Sequence, residues 1–292
     1  MTVSRTSPAL RPYRPRAATM ELIEHVQRIT DRYERQGIRL TIRQVFYQLV
    51  AGNRMPNTER QYHDLSDKLT RARRAGLMPL DAYDDHGRIP YTPPVHTSAA
   101  DAIRNAADRY AADLWRGYRR VEVWSEKDAA RSVLQPVAAA YLCTYQSTRG
   151  FMSMSALAAA VRRNRRNTWT VLIATDHDPS GLKIADRVAA DLDTFTGGRA
   201  RVERLALTRE QIDRFNPPPQ PAKRGDSRRA EYKKTTGTGN AWELDALDPA
   251  YLRELFTAAI VERLPDEWND RLERMEQDRQ RLHAVADNME EQ

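Results

Sequence analysis

VLIATDHDPSG, residues 171–181, is a short aliphatic run that stops at two spaced carboxylates and a turn. Val171 to Ala174 predicts a buried strand, and Pro179, Ser180 and Gly181 predict the turn that opens a helix behind it. Asp176 and Asp178 then stand at the carboxyl end of a strand, the edge at which open α/β sheets bind ligands. Alternate residues of an extended segment share a side, so both carboxylates can face one hard cation. Upstream, VEVWSEKDAA at 121–130 repeats the pattern, with Val121 and Val123 leading into Glu126. A lone Asp-x-Asp at a strand end is more often a solvated turn. Joined to a glutamate after its own strand, it points to a site where carboxylates hold Mg²⁺ and leave waters for phosphate oxygens to displace.

The surrounding periodicity predicts an α/β unit. Ala129 to Ala140 reads as a helix, Tyr141 to Tyr145 as a strand, Ser153 to Arg166 as a helix and RVERLAL at 201–207 as a further strand. Helices precede this unit. Met20 to Gln36 carries Leu22, Ile23, Val26, Ile29 and Tyr33 at helical spacing. TIRQVFYQLV at 41–50 sets Ile42, Val45, Phe46, Leu49 and Val50 on one apolar stripe, with Thr41 as N-cap. Tyr47 falls off that stripe, four residues after Arg43, so the phenol and guanidinium are expected as neighbours on an exposed face. Thr58 to Ala75 is expected to turn Tyr62, Leu65, Leu69 and Ala72 inward. Its cations Lys68, Arg71, Arg73 and Arg74 cluster toward its end, where contact with phosphates would give position rather than sequence preference. LMPLDAYDDHGRIPY at 77–91 suits a two-stranded wing, completing a winged helix-turn-helix.

These residues resemble the Toprim domain, whose signature is a glutamate after one strand and Asp-x-Asp after a later one. EKDAA at 126–130 and DHDPSG at 176–181 look like the A subunit of topoisomerase VI and the related transesterases that break DNA in meiosis. The Arg-x-x-Phe/Tyr-Tyr motif of those enzymes is occupied by Arg43 and Tyr47 in RQVFY. The resemblance spans roughly residues 20–250. It implies an N-terminal winged-helix (CAP-like) domain at 19–95, a linker helix at 96–117, a Rossmann-like Toprim domain at 118–264 and a charged C-terminal helix at 265–292. It further implies that Tyr47 attacks a DNA phosphodiester to leave a 5′-phosphotyrosyl link, assisted by Arg43. Glu126, Asp176 and Asp178 would hold Mg²⁺, with Mn²⁺ able to substitute, and Glu126 would also act as general acid and base. In such relatives the tyrosine of one protomer works with the metal site of the other, which implies a homodimer cutting both strands of duplex DNA. Two departures stand out: His86-Gly87 where relatives carry Lys-Gly, and Gly150-Phe151-Met152 where they carry Gly-x-Pro. The chain has no GxxxxGK phosphate loop, so strand passage would need a separate ATPase subunit. A hydrolytic Toprim nuclease of a defence or mobile element, with water in place of Tyr47, and a non-enzymatic winged-helix DNA-binding protein are the alternatives.

Composition agrees with a polyanionic partner. The chain holds 47 Lys and Arg against 40 Asp and Glu, a formal charge of +7. Residues 1–18 carry Arg5, Arg11, Arg14 and Arg16 without an acid and read as a disordered basic arm lacking the apolar core of a signal peptide. No stretch of about eighteen apolar residues appears, so no membrane partner is expected. With Cys143 as the single cysteine, an internal disulfide is excluded and a cytoplasmic, nucleoid-associated setting is expected. Further DNA contacts are assigned to Lys127, to Arg162 at a helix end and to Lys233 in a long loop expected from Asn216 to Thr238. Glu243 and Asp245 alternate on an extended segment and could add a second acidic site, with ordinary strand-end charges the preferred reading. Asp248 and Pro249 open a helix, and Trp268, Leu272 and Met275 form the stripe of a last one.

Overall fold

The computed structural model describes residues 12–80, 82–83, 93–221 and 228–290. Three helices come first: α1 (Ala17–Glu34), α2 (Ile42–Ala51) and α3 (Glu59–Arg74). Side chains set their starts. The Thr41 hydroxyl accepts from the Gln44 amide nitrogen while the Gln44 side chain accepts from the Thr41 N–H, closing a capping box, and the Thr58 hydroxyl caps α3 through Gln61. α1 buries Ile23, Val26, Ile29 and Tyr33, and α3 buries Leu65, Leu69 and Ala72, the faces their periodicity predicts. The expected wing lies largely outside the described residues, as do His86 and Gly87 and most of the basic arm.

After α4 (Ala99–Arg109) come β1 (Arg120–Ser125), a 3₁₀ turn at Asp128–Ala130, α5 (Arg131–Ala140), β2 (Thr144–Ser147), α6 (Met154–Arg163), β3 (Trp169–Ala174), α7 (Pro179–Thr196) and β4 (Ala200–Ala206). The four strands form one parallel sheet in the order β2-β1-β3-β4. β2 starts at Thr144, later than expected, because Leu142 takes a positive φ and the chain turns there. β3 is buried at every residue. Its alternate side chains feed two cores: Leu172 and Ala174 join Val121 and Val123 on one face, while Val171 and Ile173 join Trp124 and Trp169 on the other. Each fully buried aliphatic side chain contributes about 1.5–3 kcal/mol. The first core continues without a break into α1, α2 and α3, so the helical region is built onto the sheet.

The remainder comprises α8 (Arg209–Phe215), β5 (Gln220–Pro221), α9 (Arg229–Thr236), β6 (Asn240–Ala241), a 3₁₀ turn at Leu244–Ala246, α10 (Pro249–Val261) and α11 (Trp268–Glu290). The long loop expected from Asn216 to Thr238 is therefore corrected: it contains α9, and β5 pairs antiparallel with β6. Asp248 caps α10 and accepts a 2.6 Å hydrogen bond from Tyr33 Oη, which ties α1 to α10. α11 packs along α4, joined by Arg104 to Asp287 at 2.8 Å, and its Trp268 meets Trp115, beyond the end of α4, at a tilted angle. Trp268 and Met275 are buried, but Leu272 is exposed and leaves the expected stripe. Among the described residues no helix is long and apolar enough to cross a membrane.

Candidate active site

Parallel pairing brings Ser125 level with Ala174, so the segments after β1 and β3 leave the sheet side by side. Glu126 N–H donates to the Ala174 carbonyl at 2.8 Å, and Glu126 Oε2 accepts from the Asp176 N–H at 3.0 Å. Asp178 is the N-cap of α7, its Oδ1 accepting from Gly181 N–H at 2.6 Å. Gly181 is required by this turn: a Cβ there would drive into the Asp176 carbonyl oxygen and lie 3.0 Å from Glu126 Oε2. Glu126 and Asp176 are buried, and together with Asp178 they line an open cavity of about 360 Å³.

Residues distant in sequence complete the cavity. Lys127 Nζ lies 2.5 Å from Asp176 Oδ2 and 3.4 Å from Glu243 Oε2. Glu243 in turn takes both Arg43 Nε at 2.7 Å and Arg43 Nη2 at 2.5 Å, a bidentate pair across 200 residues. The Leu244 N–H donates to Asp176 Oδ1 at 2.8 Å, which docks the 3₁₀ turn onto that carboxylate. Asp245 on the same turn is 3% exposed. Glu243 thus lines the cavity, and Asp245 is buried on the turn beside it, so neither is a solvated strand-end charge. Their alternation was visible in the sequence; the turn that folds them back onto Asp176 was not.

Tyr47 requires a correction. It is 2% exposed rather than on an open face, and its ring packs against Phe46. Gln220 of β5 covers it, donating from Nε2 to Tyr47 Oη at 2.6 Å. Arg43 is committed to Glu243 and stacks over Tyr62, so it acts on the phenol through space rather than by a hydrogen bond. Gln220 and Glu243 both line the acidic cavity. The phenol, the arginine and the carboxylates are therefore gathered within one chain.

Burial governs the electrostatics. Desolvation, then the charges of Asp176 and Asp178, push Glu126 up to about 7. Burial raises Asp245 to about 6 and also lifts Asp176 against the pull of Lys127. Burial opposes the Lys127 charge, but Asp176, Glu243 and Asp245 outweigh it and hold the ammonium above its ordinary value. Glu243 is held low because Arg43 and Lys127 outweigh its desolvation. For Tyr47, desolvation and then Glu243 raise the phenol well above its ordinary value, against Arg43 and Lys127.

Among the described residues no three His, Cys, Asp or Glu side chains stand gathered as a ready metal site. The donor set nonetheless fits a hard divalent cation. It consists of carboxylates, the Lys127 ammonium already stands as a cation between two of them, and Asp245 Oδ2 is buried without a hydrogen-bond partner.

The cations assigned to DNA divide. Arg71, Arg74, Arg162 and Lys233 are exposed. Lys68 pairs with Asp64 at 2.7 Å, and Arg73 lies over the Tyr83 ring. Lys127 faces the carboxylates. Arg163, beside Arg162, clamps the buried Glu122 at 2.9 and 2.7 Å, with Asn164 and Trp124 completing that carboxylate's shell.

No protein-family model matches this chain, and no curated protein matches it either.

Proposed function

We propose that this chain cleaves DNA phosphodiesters at the Glu126–Asp176–Asp178 cavity in a Mg²⁺-dependent reaction, with Tyr47 as the nucleophile of a topoisomerase VI A-like transesterification. The fold reading that goes with it is a winged-helix region on a Toprim-type sheet. One observation carries it: α2, with Arg43 and Tyr47, is bonded to the same cavity that the strand-end carboxylates line, through Arg43–Glu243 and Tyr47–Gln220.

Mg²⁺ held at this cavity would supply Lewis-acid stabilisation of charge on the transferring phosphoryl group. The bond formed is Tyr47 Oη to phosphorus, with the phenol proton passing to water in the open cavity, and the bond broken is phosphorus to the 3′ oxygen. Glu126, which burial holds at about 7 without metal, would give the leaving oxygen its proton and recover it on resealing while Asp176 and Asp178 carry the Mg²⁺. Arg43 and Lys127 supply positive charge for the phosphate, at the expense of their pairing with Glu243 and Asp176. Tyr47 must leave Gln220 before it reacts. Exposed Arg71, Arg74, Arg162 and Lys233 would contact the duplex backbone. Two copies acting on opposite strands would give a double-strand break.

The buried, hydrogen-bonded Tyr47 with its raised phenol favours a second reading, in which water attacks and the chain is a hydrolytic nuclease. Supercoiled plasmid incubated with Mg²⁺ and stopped with detergent separates the two. Transesterification predicts protein-linked breaks that both Tyr47→Phe and Asp176→Asn abolish. Protein-free breaks that survive Tyr47→Phe establish hydrolysis. Unbroken plasmid, with DNA binding untouched by Asp176→Asn, leaves a non-enzymatic DNA-binding protein.

A further inference from the structure

We propose that Glu243 and Asp245 are ligands of the same cation site as Glu126, Asp176 and Asp178, and that Lys127 fills this site as a built-in counter-ion which a divalent ion displaces. The inference rests on the reading that the cavity takes a divalent cation. It enlarges the ligand set with two residues from the far side of the chain.

The first observation is placement. Leu244 N–H is bonded to Asp176 Oδ1, so the residues on either side of it, Glu243 and Asp245, flank a carboxylate at the centre of the site. Glu243 lines the cavity, and Asp245 is buried two residues on, within the electrostatic reach of Lys127, Asp176, Glu243 and Arg43.

The second observation is an unmet need. Asp245 is 3% exposed and its Oδ2 has no hydrogen-bond partner. A buried carboxylate oxygen without a donor is costly, and folded proteins retain few of them. Its charged neighbours balance, Asp176 and Glu243 against Lys127 and Arg43, so burial without a donor is the defect. A cation bound among Asp176, Glu243 and Asp245 would relieve it.

The third observation is Lys127 itself. Its ammonium touches Asp176 and lies 3.4 Å from Glu243, so it shares the oxygens that a metal would take. A divalent ion there would compete with Lys127 and release it toward the cavity, where a phosphate oxygen could take it up.

The test is Mn²⁺ binding by the full-length protein, read by electron paramagnetic resonance and by the Mn²⁺-induced rise in melting temperature, at a pH above the values of Asp245 and Glu126. Wild type should bind Mn²⁺ and melt higher with it, since a ligand that binds only the folded state stabilises it. Asp176→Asn should remove both effects. Asp245→Asn, which keeps shape and removes a buried charge, should melt no lower than wild type without metal yet bind Mn²⁺ about tenfold or more weakly. Glu243→Gln should weaken binding in the same way, and Lys127→Met should bind more tightly while melting lower without metal. Asp245→Asn and Glu243→Gln proteins with wild-type Mn²⁺ affinity, beside a deficient Asp176→Asn, would overturn the enlarged ligand set alone. A Lys127→Met protein with weaker binding would overturn the displacement. Failure of wild type to bind Mn²⁺ would overturn the inference together with the cation reading beneath it.

Discussion

Glu126→Gln is expected to stabilise the metal-free protein, and to do so only above a definite pH. In the unfolded chain the Glu126 carboxyl releases its proton near its ordinary 4.5; in the folded protein burial and the neighbouring aspartates delay release to about 7. Below 4.5 both states hold the proton and the group adds no pH dependence. Between the two values the unfolded chain has lost it and the folded protein has not, so stability falls as pH rises and the full cost is present above about 7. A displacement of that size corresponds to roughly 3 kcal/mol. Glutamine stays neutral in both states and can still accept the Asp176 N–H through its side-chain oxygen. Urea unfolding in chelator should therefore show the variant gaining roughly 3 kcal/mol over wild type between about pH 4.5 and pH 8, a difference that includes the relief of Asp176, whose charge no longer faces a second carboxylate. A stability difference that stays flat over that range, or that favours wild type at high pH, would refute the claim that this carboxylate is held desolvated beside like charges.

Two further substitutions probe the geometry. Gly181→Ala places a methyl group against the Asp176 carbonyl and beside Glu126 Oε2, so it should destabilise by about 1–3 kcal/mol and abolish Mn²⁺ binding; equilibrium unfolding and paramagnetic titration check the two parts. Arg163→Met takes the half-exposed guanidinium from buried Glu122 but leaves its Asn164 and Trp124 donors, a loss expected to be about 1–3 kcal/mol. The double variant with Glu122→Gln should recover most of it, as a denaturant-based double-mutant cycle would show.

The strand-end carboxylates were legible because short apolar runs, turn residues and helix caps are local signals. β3, its turn and α7 follow from residues within a few positions of one another. The face of α2 was not legible. Tyr47 lies off the stripe formed by Val45, Phe46 and Leu49, and only a strand from residue 220 decides that it is covered. The same holds for Glu243 and Asp245, whose role depends on a 3₁₀ turn reaching Asp176. Lys127 shows the limit in another way. Its position beside Glu126 was plain, yet which of DNA or carboxylate it meets is settled by the strand register that sets Asp176 next to it. In each case a long-range contact overrode a sound local reading.

The most direct test of the central claim is to trap the protein on duplex DNA with Mg²⁺ in detergent, digest with nuclease and protease, and identify the modified peptide by mass spectrometry. The α2 peptide should carry a nucleotide joined through phosphate to Tyr47, lost in Tyr47→Phe. Cleaved DNA with an unmodified α2 peptide would contradict it.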